Sequence, residues 1–266
     1  MKQVSFGPLE TPLFGLLHSP PPEEQGEFGI VITQPFANEY YRSYRSLKVL
    51  ADRLAALGFF VLRFDYYGTG DSGGDDEDLS LPRWREDLLA SIELLRQETG
   101  VKKIHLIGRR LGGAICMDIA STVSEIERIA LWDPVLNGKD YIAELLEDHK
   151  DFTNVYHRDK WATPEFKNDM YRFEALGQCF PNTLVDEIEA IQMSPTLKLE
   201  GTQICFIDST PDKRQEPQIK NIARAGAKVD FFNILDSKIK DPLNPIRVYL
   251  PNPILRAIST WFDPNA

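Results

Sequence analysis

Along this chain the apolar positions alternate between two periods. FGIVITQ (28–34), FFVLRFDY (59–66), KKIHLIG (102–108) and IERIALWDP (126–134) are short apolar runs of β-branched and aromatic residues, the pattern of strands buried on both faces. Between them the spacing turns helical. Leu47, Leu50, Ala51, Leu54 and Leu57 predict a helix over 43–57 that Gly58 terminates, and Leu88, Leu89, Ile92 and Leu95 predict another over 84–98. LGGAICMDIAS (111–121) is a third helix. TQICFID (202–208) and KVDFFNI (228–234) are further strands around a helix at 214–225, and a last helix covers 253–262. Such alternation implies a mostly parallel sheet with helices on both faces.

Two segments depart from it. Residues 3–18 read as two strands around Gly7-Pro8, an antiparallel hairpin on the sheet edge. Residues 137–200 lack strand signals and carry helical runs such as YIAELLEDH and LVDEIEAIQM. This divides the chain into a core of 1–136 and 201–266 and a helical cap insertion at 137–200, either a lid over the C-terminal sheet edge or an extra helical layer. The insertion holds 13 acidic and 7 basic residues, so it carries −6 of the total formal charge of −10.

Composition narrows the function classes. Thirty Lys+Arg against 40 Asp+Glu disfavours a nucleic-acid partner, which needs clustered basic residues. Three cysteines make no disulfide framework, the opening MKQVSFGPLETP has no apolar leader segment, and no run approaches a membrane span. The expectation is a cytoplasmic protein with no cofactor, no metal and no membrane insertion.

In an open parallel sheet, ligands bind at the C-terminal strand ends. There, strand KKIHLI runs into Gly108-Arg109-Arg110-Leu111-Gly112-Gly113 and straight into a helix. A Gly-x-x-x-Gly frame at a strand-to-helix turn is the backbone of a nucleophile elbow, with small residues where strand and helix approach. The central residue, usually Ser, is Arg110. Guanidinium keeps its proton at working pH and has no nucleophilic lone pair, but it offers planar paired donors to a carboxylate or phosphate. A cation at a helix N-terminus is disfavoured, more so if covered, so an anion should lie within reach. Glu39, Asp133 and Asp212 are the candidates. Arg110 then either closes the site as an internal ion pair, meets an anionic or carbonyl-bearing ligand, or swings to solvent.

With the Gln34-Pro35-Phe36 loop, the run Arg63-Phe64-Asp65-Tyr66-Tyr67-Gly68-Thr69-Gly70-Asp71-Ser72, this elbow, and Asp212 after strand 202–208, the chain resembles the α/β-hydrolase superfamily over nearly its whole length. It is most similar to a bacterial subgroup of exosortase-associated or serine-aminopeptidase-like hydrolases in which Arg also occupies the elbow; Leu131-Trp132-Asp133-Pro134-Val135 fits that subgroup too. The resemblance implies oxyanion-hole N–H groups at Phe36 and Leu111 and an acid at Asp212. The nucleophile position holds Arg110. The family's histidine belongs in the loop after KVDFFNI, where LDSKIKDPLNPIRVYLP (235–251) contains none.

The remaining candidates are weaker. Gly68-x-Gly70-x-x-Gly73 matches a dinucleotide motif, but the acidic GDDEDLSLP that follows would repel a pyrophosphate. His105 lies inside a strand and His18 ends one; His149 and His157 fall in the insertion, and no pair has metal-ligand spacing. Cys116 and Cys205 fall in core elements and Cys179 in the insertion, and Ser209 is the one hydroxyl placed to substitute as nucleophile. The strand-end aromatics Phe36, Tyr40, Tyr41, Tyr66, Tyr67 and Trp132 either line a pocket or pack, with Tyr41 and Trp132 the candidates for ligand contact. The expected activity is a hydrolase without serine chemistry, or a lyase or cyclase, with Arg110, Asp212, Asp133 and Glu39 as working residues on a small acyl, ester or carboxylate compound. The alternative is an inactive pseudo-hydrolase that binds a ligand.

Overall fold

A computed structural model describes residues 1–123, 125–156, 169–192, 198–210, 216–236 and 249–263, with 156 and 216–218 described by backbone alone. Eight strands form one sheet: β1 (Lys2–Phe6), β2 (Leu13–His18), β3 (Phe28–Thr33), β4 (Phe60–Phe64), β5 (Lys103–Arg109), β6 (Ile126–Trp132), β9 (Gln203–Asp208) and β10 (Lys228–Asn233). Their spatial order is β1-β2-β4-β3-β5-β6-β9-β10. The six strands from β4 to β10 pair in parallel, while β1–β2 and β2–β4 are antiparallel, so the N-terminal hairpin lies on one edge as the sequence predicts.

Strand parity sorts the core into two layers. In β5, Ile104 and Leu106 face α2 (Leu81–Thr99) and α3 (Leu111–Ala120), while His105 and Ile107 face the other way. That opposite layer is built from α1 (Asn38–Ala56) and α7 (Asn252–Phe262), which contribute Leu47, Leu50, Leu54, Ile254, Leu255 and Ile258. α2 ends at Gly100 in the left-handed region (φ 76°), whose N–H donates to the Arg96 carbonyl at 2.8 Å.

Between β6 and β9 run α4 (Gly138–Tyr156), β7 (Tyr171–Ala175), β8 (Gln178–Pro181) and α5 (Asn182–Glu189). β7 and β8 form an antiparallel hairpin, so the reading of 137–200 as strand-free is corrected. Its two turn residues, Leu176 and Gly177, both have positive φ (52° and 87°), the geometry that matches strand twist in a two-residue hairpin loop. Leucine gives no turn signal there; its N–H donates to His149 Nδ1 at 3.0 Å, a tertiary contact that helps hold the turn. Ile142, Leu145, Leu184, Val185 and Ile188 of α4 and α5 are buried in the same apolar cluster as α2 and α3. The helix expected at 214–225 is α6 (Glu216–Arg224).

His105 behaves as a core residue. It stacks on Phe28 (5.0 Å) and Phe262 (5.6 Å), and burial, with Arg128 nearby, pulls its pKa from 6.5 to about 4. As pH falls from 6.5, the unfolded chain therefore takes up this proton first. Stability should drop by about 3 kcal/mol on the way to pH 4 through this group alone. His105→Phe should remove that component, so urea midpoints of variant and wild type should diverge in the variant's favour between pH 7 and pH 4. Parallel pH profiles would overturn the assignment of a buried neutral imidazole.

Candidate functional site

The elbow forms for steric reasons. A Cβ on Gly108 would lie 2.6 Å from the Gly112 carbonyl, and one on Gly112 would lie 2.7 Å from the Gln34 carbonyl. Only glycines let β5, α3 and the end of β3 approach this closely. Thr33 Oγ1 ties the junction by sharing its single proton between the carbonyls of Ile107 (3.1 Å) and Gly112 (3.0 Å). Arg110 sits at the apex with φ 52° and ψ −120°. Ala37 (φ 55°) after β3 and Asp133 (φ 46°) after β6 are also left-handed. Three non-glycine residues with positive φ thus converge on one end of the sheet, where strained backbone concentrates in functional sites.

The Arg110 side chain is 7% exposed and ion-paired twice. Nε donates to Glu39 Oε1 at 2.6 Å, and Nη2 donates to Glu144 Oε2 at 2.9 Å. Nη1 reaches the Asp133 backbone carbonyl at 3.5 Å. The guanidinium lies 5.2 Å from the centroid of the Tyr141 ring, and the Tyr141 hydroxyl donates to Glu39 Oε2 at 3.1 Å. Burial pulls the Arg110 pKa down, but Glu39, Tyr141 and Asp133 more than offset it, and the net direction is upward. The anion that the sequence required is therefore present. On α4, one turn beyond Glu144, Asp148 is pushed up to about 6 by burial and by the Glu39 charge.

The other candidates divide. Glu39, on the first turn of α1, is in contact with Arg110 as anticipated. Asp133 turns its carboxylate instead to Ser209, accepting from its N–H (2.7 Å) and Oγ (2.5 Å), and offers Arg110 only a carbonyl. Asp212 and His157 lie outside the described residues, as does most of the loop after β10. Leu111 is the first residue of α3, directly after the elbow. Phe36 packs between Trp84 (5.0 Å) and Phe180 (5.4 Å), so its side chain is core while its backbone lies in the loop between β3 and α1.

The two expected ligand contacts differ in burial. Tyr41 is 71% exposed and packs edge-on against Tyr40. Trp132 is wholly buried in the α1/α7 layer, on the sheet face away from α3, with the Arg109 guanidinium 4.3 Å from its ring centroid. Arg109, the last residue of β5, donates to Ser43, and burial pulls its pKa down to about 10. The tandem arginines thus take different partners, Arg109 against Ser43 and Trp132 and Arg110 against Glu39 and Glu144. The Gly68–Gly73 loop wraps its own carboxylate: the Asp71 N–H donates to Asp65 Oδ2 at 3.0 Å, occupying the space a phosphate would need. Ser209 Oγ is committed to Asp133, and burial raises the thiols of Cys116 and Cys205 to about 12. Among the described residues, no group of His, Cys, Asp and Glu could hold a metal, and no helix is long and apolar enough to cross a membrane.

Sequence reasoning missed Tyr141, Glu144 and Asp148. All three lie on one face of α4 at i, i+3 and i+7 spacing, a signal that acquires meaning only when that face is known to meet an arginine.

A mostly parallel eight-stranded sheet with this elbow defines an α/β-hydrolase fold. Residues 29–172 match the family model of the serine aminopeptidase S33 hydrolases, more than half the chain, and the protein belongs to that family. Among solved structures it is similar to Est1E from Butyrivibrio proteoclasticus with bound ferulic acid (TM-score 0.66, 17% identity, 97% of each chain). It is also similar to DcsB in complex with its substrate analogue (TM-score 0.67, 15% identity, 100% of this chain and 99% of that one). Among curated proteins it is 37% identical over 65 residues to the human mitochondrial palmitoyl-protein thioesterase ABHD10 (Homo sapiens). That match covers 24% of this chain and 20% of the thioesterase.

Proposed function

We propose that this chain is a pseudo-hydrolase: an α/β-hydrolase lacking the serine and histidine of the triad, which binds a small acyl or carboxylate compound without forming an acyl-enzyme. The observation that carries this reading is Arg110 at the elbow apex, held by Glu39 and Glu144. A guanidinium cannot attack a carbonyl. The nearest substitute nucleophiles among the described residues are poorly placed, since Ser209 donates to Asp133 rather than to an imidazole and the Cys116 thiol is buried and raised. A cytoplasmic setting is part of the same reading, because all three cysteines are free thiols.

One observation favours a second reading. Asp148, poised at about 6 beside Glu39 and Arg110, has the pKa of a general acid–base, as a water-mediated hydrolase, lyase or cyclase would need. A single experiment separates the two. The protein is treated with a fluorophosphonate probe and assayed against short-chain acyl esters across pH. The binding reading expects no labelling and no turnover. Labelling at a serine would overturn it, and turnover inflecting near pH 6 and lost in Asp148→Asn would replace it with the enzyme.

A further inference from the structure

Resting on that non-covalent reading, we infer that Glu144 stands in the place of the ligand's own charged group, and that the ligand is a monocarboxylate that binds by exchanging with Glu144 on Arg110. The ion-pair geometry is asymmetric. Glu39 grips Nε, belongs to α1 beside the sheet, and is itself held by the Tyr141 hydroxyl. Glu144 takes Nη2, comes from the inserted α4, and is the more exposed partner, 28% against 19% for Glu39. The guanidinium itself is 7% exposed, so its terminal nitrogens are reached by displacing a carboxylate rather than by adding one.

Charge balance selects the ligand class. Glu39 and Glu144 together already supply two negative charges to one guanidinium, and Asp148 follows one turn further along α4. Burial and the Glu39 charge push Asp148 up to about 6, the mark of a place where further negative charge is disfavoured. A monocarboxylate replaces Glu144 charge for charge and reproduces its planar two-oxygen geometry. A phosphate or dicarboxylate brings a second negative charge into a cluster where Glu39, Glu144, Asp133 and Asp148 already outnumber Arg42, Arg109 and Arg110. The N-terminus of α3, which opens at Leu111, favours one negative charge at the same spot.

The test is a calorimetric titration of wild type and Glu144→Gln with butyrate, succinate and inorganic phosphate at constant ionic strength. Glu144→Gln keeps the side-chain length while weakening the competing ion pair, and should bind butyrate roughly tenfold more tightly than wild type. Succinate and phosphate should bind more weakly than butyrate in both proteins. Arg110→Lys, which keeps the charge but loses the planar donors, should lose the butyrate site; its urea midpoint, read alongside, confirms that it is folded. Equal butyrate affinity in wild type and Glu144→Gln would overturn the exchange, as would phosphate binding as tightly as butyrate. Failure of the underlying reading looks different: it is a fluorophosphonate-labelled serine, whatever Glu144→Gln does to butyrate.

Discussion

Glu39→Ala is expected to lower folding stability by about 3 kcal/mol, the low end of the cost of breaking a buried ion pair, because Glu144 still pairs with Arg110. Arg110 is 7% exposed, and Glu39 supplies its shorter ion pair, 2.6 Å against 2.9 Å for Glu144. The same carboxylate accepts from the Tyr141 hydroxyl, whose ring underlies the guanidinium, so truncation breaks two buried bonds at once. Glu39→Gln, which keeps one acceptor oxygen and an amide that can donate to the Tyr141 hydroxyl but carries no charge, should cost less than the alanine. A surface pair sets the scale for comparison. Lys2–Glu98, 62% and 34% exposed, should be worth less than about 1 kcal/mol when truncated. Urea denaturation of the three variants measures all of these differences. A Glu39→Ala loss no larger than that of the surface pair would mean that Arg110 is not held as described, and the closed-elbow interpretation would fall with it.

The elbow was legible in the chain because steric contact dictates it. Gly108 and Gly112 are where strand, helix and the preceding strand end touch, and no other residue fits. The requirement for a nearby anion was legible as well, since a cation at a helix N-terminus is costly whatever surrounds it. Which anion was not. Glu39, Asp133 and Asp212 all follow strand ends in sequence, and nothing in one sequence says that Asp133 will adopt φ 46° and turn to Ser209. Glu144 depended on how an inserted helix docks, a tertiary outcome rather than a pattern.

The misplacement of Trp132 has a different cause, strand parity. Leu131 faces α3 and Trp132 faces α1 and α7, and the β5–β6 register sets Trp132 beside Arg109 rather than Arg110. One residue of parity separates a ligand contact from a core residue. The hairpin of β7 and β8 escaped because Leu176 stands where a turn usually has Asn, Asp or Gly.

Gly138→Ala should be more disruptive than any single truncation in the insertion, above about 4 kcal/mol if the fold is kept intact around it. A Cβ there would overlap the Ile188 carbonyl oxygen and lie 2.5 Å from its carbon, and both are backbone atoms of α5 that no rotamer change can move. α5 has little freedom to retreat. Ile188 is fully buried, the Gly138 N–H donates to the Ile191 carbonyl at 2.9 Å, and Glu187 accepts from the Leu81 N–H at 2.8 Å at the start of α2. The two helices of the insertion therefore meet at a point that admits no methyl group. A control is Gly177→Ala, where no atom lies within 4 Å and only the positive φ of 87° is penalised, at about 1 kcal/mol. If the clash is relieved by displacing the start of α4, Glu144 leaves Arg110, because Gly138 and Glu144 sit less than two turns apart on that one helix. Limited proteolysis across 137–200 and the urea midpoint should then report cleavage and destabilisation together, and butyrate affinity should rise as it does in Glu144→Gln. A Gly138→Ala protein with wild-type midpoint and wild-type cleavage would show that α4 and α5 do not pack as described, and that Glu144 is not positioned by their contact.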